Sequence, residues 1–111
     1  MPPLEFRTLT ADATSGRFAV TVPADLPYFE GHFPGAPILP AIAQLLVLVL
    51  DRTHALWPEL GQPRRVARLK FMQKIDPGDE LEVHLERTAA EVRFALLRRD
   101  EPCTRGVLAF A

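Results

Sequence analysis

The sequence predicts an α+β fold, an antiparallel sheet of five to six strands wrapped around one long central helix. Three observations carry that expectation. Short stretches with apolar residues at every second position recur before and after the middle of the chain, the signature of half-buried strands. Only one long apolar run occurs, residues 38–50, and at thirteen residues it is short of the ~20 that a membrane span needs, so it reads as a helix buried in a core. The chain has 111 residues, 48% of them apolar and 24% charged, enough for one core and therefore one domain, residues 1–111.

The elements follow in order. Leu4 to Leu9 alternates, Asp12, Ser15 and Gly16 make a turn, and Arg17 to Val22 alternates again, which predicts a hairpin. Between Pro23 and Pro40 lie five prolines and two glycines, which forbid a regular helix and restrict φ, so a rigid, shaped loop is expected. Pro40 suits the first turn of a helix, and residues 41–57 follow without Gly or Pro until Pro58. Beyond it Ala67, Leu69 and Phe71 alternate with Arg68 and Lys70 and are expected to face the core. Asp76-Pro77-Gly78-Asp79 turns the chain, and Leu81, Val83 and Leu85 alternate with Glu82, His84 and Glu86. Val92, Phe94 and Leu96 form the next strand, Arg99 to Pro102 breaks the pattern, and residues 106–110 close the sheet. One helix covering such a sheet leaves a sheet edge and a helix flank open, and pairing with a second copy is the cheapest cover, so a dimer is expected.

Charge narrows the function classes. Thirteen Lys plus Arg against fourteen Asp plus Glu give a net charge of -1, which provides no global basic field for nucleic acid or lipid headgroups. The single cysteine, Cys103, permits no intramolecular disulfide, and the first residues show no basic-then-apolar leader, so a cytoplasmic location is the expectation. With one histidine in a candidate site and one cysteine, no metal-ligand spacing is present, and neither metal nor cofactor is expected. Eleven prolines, about twice the usual share of ~5%, are the compositional oddity, and five of them surround one histidine.

That histidine is His32, in Tyr28-Phe29-Glu30-Gly31-His32-Phe33-Pro34-Gly35-Ala36-Pro37-Ile38-Leu39-Pro40. Glycines and prolines on either side restrict its wandering, and an imidazole titrating near neutrality suits proton transfer. The helix start at Ala41-Ile42 offers unpaired N–H groups able to polarise a carbonyl oxygen. The loop resembles, nearly residue for residue, the signature of the hotdog-fold 3-hydroxyacyl-acyl carrier protein dehydratases of fatty acid synthesis, and Pro77-Gly78-Asp79 resembles that family's downstream turn. The similarity runs from about Phe18 to Phe110. It implies a hotdog fold and an acyl thioester substrate carried by acyl carrier protein or CoA, in fatty acid, polyene or polyketide-type biosynthesis. It also implies His32 as the base that moves the α-proton, the Ala41 amide as the group holding the thioester carbonyl, and Phe33, Gly35, Pro40, Gln44 and Leu46 as substrate-lining residues.

Two positions depart from the family. Its helix acid, fourteen residues after the histidine, is Leu46 here, and the glycine it carries at the amide position is Ala41. Loss of a positioned general acid typically costs about 10²–10⁴-fold in rate. Gln44-Leu45 resembles a short branch of the family associated with aryl polyenes, which works beside a second dehydratase-like partner, so a hetero-oligomer whose partner supplies the carboxylate stands beside the homodimer. Within the chain, Asp51 lies 140° round the helix from position 46, and Gln44 holds a hydroxyl without giving up a proton. Asp51 and His54 are expected as a solvated pair and His84 as a surface residue. Arg64, Arg65, Arg68 and Lys70, with Lys74, form a basic stretch, either a solvated strand face or a dock for acidic carrier protein. The apolar face of residues 42–50 is core and a candidate acyl tunnel wall. The first reading is a 3-hydroxyacyl dehydratase. A noncatalytic dehydratase-like subunit or acyl-binding module and a hotdog thioesterase are the alternatives.

Overall fold

A computed structural model describes residues 4–23 and 44–110, with the backbone alone at Leu46. Two strands, β1 (Phe6–Ala11) and β2 (Ser15–Thr21), form the predicted hairpin. Asp12 makes its turn: one carboxylate oxygen accepts from the amides of Thr14 and Ser15 at 2.9 and 2.8 Å, the other from the Ser15 hydroxyl at 3.0 Å. Such side-chain bonds offer the backbone a turn in place of a continued strand. Gly16 lies close against the core just beyond: a Cβ there would come within 2.5 Å of Leu56 Cδ1 and 3.1 Å of the Phe18 ring, so Leu56 would have to shift.

The helical segment is less regular than the sequence predicts. Its described part opens as a π-helix, Gln44–Leu50, and continues as an α-helix, α1 (Asp51–Leu56), in place of one long uniform α-helix. Pro58 ends it and begins a short 3₁₀ turn, Pro58–Leu60; within the helix the Thr53 hydroxyl donates back to the Val49 carbonyl at 2.8 Å. The Trp57 indole then donates to the Ala13 carbonyl at 3.0 Å, which ties the helix end to the β1–β2 turn.

Four strands follow, β3 (Arg65–Phe71), β4 (Glu80–Thr88), β5 (Glu91–Arg98) and β6 (Glu101–Ala109). The order across the single antiparallel sheet is β1-β2-β4-β5-β6-β3, so β1 and β3 are its edges. The inward rows of the central strands supply the core. Phe18 and Val20, Leu81, Val83 and Leu85, Val92, Phe94 and Leu96, and Leu108 are all buried, and Leu48, Val49 and Trp57 close over them. Period two works because register keeps each row on one face: Phe18 lies opposite Val83, and Val83 opposite Leu96.

Two expectations about strands need correction. Leu69 and Phe71 of β3 are not covered by the core: they expose 38% and 48% of their surface, and Val66 38%, because β3 is an edge with nothing described beyond it. The last strand begins at Glu101, five residues before the predicted start. Arg99 and Asp100 take φ of 53° and 64°, the handedness of a tight two-residue hairpin turn, and Pro102 is tolerated at a register shift that leaves Cys103 unpaired in the ladder.

Candidate functional site

His32, Phe33, Gly35, Pro40 and the Ala41 amide fall in residues 24–43 and lie outside the described residues, as does the side chain of Leu46. The described structure shows what brackets that segment. On its N-terminal side Val22 is wholly buried, its amide donates to the Asp79 carbonyl at 2.8 Å, and its carbonyl accepts from the Gly78 amide at 2.8 Å. The clamp is the Asp76–Asp79 turn, where Pro77 presets one φ and Gly78 takes +85°, which an L side chain rarely adopts. Arg98 of β5 locks the turn in place. Its guanidinium donates to Asp79 Oδ2 at 2.6 Å, to the Lys74 carbonyl at 3.1 Å and to Gln73 Oε1 at 2.9 Å. The hydrogen bond to Asp79 holds the Arg98 pKa above its ordinary value.

On its C-terminal side the segment runs into Gln44, 4% exposed, whose Oε1 accepts from the Thr104 hydroxyl of β6 at 2.7 Å. Thr104 is itself wholly buried. A buried amide–hydroxyl bond orients the Gln44 side chain as loosely packed apolar neighbours cannot, because breaking it strands polar atoms away from water. The residues that flank the histidine segment are therefore held by β4's entry turn at one end and by β6 at the other. Thr104 is the residue sequence reading missed; the available signal was a hydroxyl at a position where β6 alternation calls for an apolar side chain.

The remaining candidates separate. Asp51 is turned to solvent and paired with Arg52 at 2.7 Å, as its helical angle predicts, and the Arg52 guanidinium lies 4.1 Å over the Phe6 ring. His54 does not pair with Asp51. Its ring nitrogen meets the Gly61 carbonyl instead, because the 3₁₀ turn brings residue 61 back beneath the helix. His84 lies on the outer sheet face with Nε2 2.9 Å from Glu82. Cys103 is buried, and loss of hydration pushes its thiol pKa up, with Arg98 pulling the other way, so it is no thiolate nucleophile at neutral pH. Arg64 and Arg65 are exposed where the chain enters β3. Arg68 and Lys70 line a cleft of about 660 Å³ on the outer face of the sheet, together with Arg17, Arg93 and Arg105. Among the described residues no helix is long and apolar enough to cross a membrane.

The model of the ApeI-like family, described as ApeI dehydratase, matches residues 8–107, nearly the whole chain. The chain belongs to the ApeI-like dehydratase family. Curated relatives of this family member include the 3-hydroxyacyl-(acyl-carrier-protein) dehydratase FabZ of Alkaliphilus metalliredigens, 36% identical over 74 residues, which are 61% of the chain and 50% of the relative. FabZ of Chloroflexus aggregans is 39% identical over 77 residues, 60% of the chain and 51% of the relative. The chain spans about half the length of the curated relatives it matches. Among solved structures, the dehydratase heterocomplex ApeI:P from Xenorhabdus doucetiae superimposes with a TM-score of 0.86 at 22% identity, covering 98% of this chain and 97% of that one. A pyran synthase domain from module nine of the sorangicin pathway superimposes with a TM-score of 0.69 at 20% identity, covering 99% of this chain and 40% of that one. At these identities the likeness is one of fold, and the fold of this ApeI-like chain is hotdog-like, a six-stranded antiparallel sheet on one helix.

Proposed function

We propose that this chain takes part in the dehydration of 3-hydroxyacyl thioesters, with His32 as base, in fatty acid, polyene or polyketide-type biosynthesis. The observation that carries the reading is the family match over residues 8–107, which takes in both the histidine loop and the helix behind it. In the reaction His32 takes the proton from C2, the C2–C3 double bond forms as the C3–O bond breaks, and the hydroxyl leaves with a proton as water. The thioester carbonyl, where charge builds as C2 loses its proton, lies against the Ala41 amide. Phe33, Gly35, Pro40 and Leu46 line the acyl group, and Gln44, held by Thr104, stands at the helix start beside it.

Leu46 leaves the departing hydroxyl without the family's helix acid. We assign that proton to a neighbouring subunit. Exposed Val66 and Phe71 support a neighbour: they share the helix-side face of the sheet with buried Leu108 and Thr104, their register partners, yet nothing described covers them. Phe71 lies directly opposite Thr104, the residue that holds Gln44, so a subunit seated on β3 reaches the helix start. A second copy gives a homodimer. The Xenorhabdus neighbour is a heterocomplex, which favours a second dehydratase-like subunit as the other occupant. Arg64, Arg65, Arg68 and Lys70 sit at that edge as the dock for an acidic carrier protein, and a cytoplasmic setting accords with such a substrate.

Incubation with a 3-hydroxyacyl carrier protein, followed by mass, tests the reading. Loss of one water, abolished in His32→Ala, is expected, with Leu46→Glu raising the rate of the chain alone. Release of the acyl chain identifies a thioesterase. No change of mass, alone or with a co-expressed dehydratase-like partner, leaves a noncatalytic acyl-binding subunit, the reading that Leu46 itself favours.

A further inference from the structure

Arg17, Arg68, Lys70, Arg93 and Arg105 come from four strands and line one cleft of about 660 Å³ on the sheet face opposite the helix. Register brings them together. Arg17 lies opposite His84, His84 opposite Ala95, Ala95 opposite Arg105, and Arg105 opposite Lys70, one row across the sheet, with Arg93 in the next. A bulge in β3 sets Arg68 and Leu69 against Gly106 alone, and Arg68, at φ 53°, joins Lys70 in the same cleft.

Arg52, Lys74, Arg87 and Arg98 each pair with a carboxylate, whereas among the described residues none of the five cleft cations does. Among the described residues Glu86, opposite Arg93, is the only acid lining the cleft, and His84 there is engaged by Glu82. Like charges directly opposite each other on neighbouring strands, as Arg105 and Lys70 are, destabilise a sheet. The chain carries a net charge of -1, so the clustering reflects no general excess of base. We propose that the cleft binds the oligophosphate group of a small molecule. Guanidinium forks match phosphate oxygens two at a time, and a bound polyanion cancels the repulsion between Arg105 and Lys70. The volume falls within the ~300–1,000 Å³ range of small-molecule sites.

The proposal shares Arg68 and Lys70 with the carrier-protein dock but does not depend on dehydration, and it is tested without turnover. The intact chain is titrated calorimetrically with sodium triphosphate in low-salt buffer, and in parallel with polyglutamate. Saturable binding, one triphosphate per cleft, is expected, weakened at least about tenfold by Arg93→Gln with Arg105→Gln and by added salt. Arg64→Gln with Arg65→Gln, which removes two charges outside the cleft lining, is expected to weaken binding less than the cleft double variant does. Circular dichroism reports folding, and Arg17→Gln on the far strand replaces any variant that fails to fold. Absence of saturation, equal weakening by both double variants, or binding of polyglutamate with no response to triphosphate overturns the assignment.

Discussion

Thr104 and Gln44 meet through a single buried hydrogen bond, and that bond anchors the start of the helix to β6. Replacing Thr104 by Val keeps the shape and removes the donor. The Thr104 hydroxyl bond to Gln44 is then lost, which costs on the order of 0.5–1.5 kcal/mol. Chemical denaturation of Thr104→Val is expected to show a loss in that range, and a dehydration rate that falls more than stability at 25 °C explains. A variant as stable and as fast as the parent would show that the bond orients nothing. Neither partner's role was legible from residue type. Gln44 drew attention through the motif around it, but its partner is sixty positions away in sequence and becomes visible only when β6 is placed beside the helix. His32 is the opposite case. Its setting of glycine and proline is local, so its candidacy needed no fold at all.

Hairpins and turns were the most legible elements, because their chemistry lies within four residues. The β1–β2 turn shows it: Asp12 accepts from the Thr14 and Ser15 amides and the Ser15 hydroxyl, and those bonds hold its carboxyl pKa below the ordinary carboxylate value, the Thr14 amide contributing most. A depressed folded-state pKa means stability that is complete above the unfolded-state value and fades as pH falls through the lower, folded one. Asp12→Asn is therefore expected to be less stable than the parent at pH 7. The gap should narrow as pH drops below the usual carboxylate range, where the parent protonates as well. Urea midpoints measured between pH 7 and pH 2 check this; a gap independent of pH would assign the loss to geometry. β3 and β6 were less legible for the same physical reason. Alternation shows that a strand has two different faces but not whether it lies in the centre or at an edge, so Leu69 and Phe71 looked like core. Pro102 reads as a breaker, and only the register shift around Cys103 shows how the strand accommodates it. Nor does an apolar run announce π geometry, which is why the helix over residues 41–57 was expected to be uniform.

At the scale of the molecule, the sheet has two edges that are defended differently. β1 carries a bulge between Thr8 and Thr10, and among its residues the one exposed large apolar side chain is Leu9. β3 is also bulged, yet it presents Val66, Leu69 and Phe71 together, which a chain working alone has no reason to leave in water. Covering each of them contributes on the order of 1 kcal/mol. Sedimentation of the purified chain is expected to give the mass of two copies. Phe71→Lys with Val66→Lys should shift it to one, because two strands paired edge to edge bring like charges face to face and desolvate them. The cleft cations sharpen the expectation. Arg68 and Lys70 alternate with Leu69 and Phe71 along this strand, so pairing through the backbone edge buries the apolar row while leaving the basic face open. A parent chain that sediments as a monomer, yet forms a stoichiometric complex with a co-expressed dehydratase-like partner that the Lys variants abolish, would move the same surface from self-pairing to hetero-pairing. A monomer that gains neither partner would remove the neighbouring subunit as the source of the proton missing at Leu46, and the acid would then have to be sought within residues 24–43.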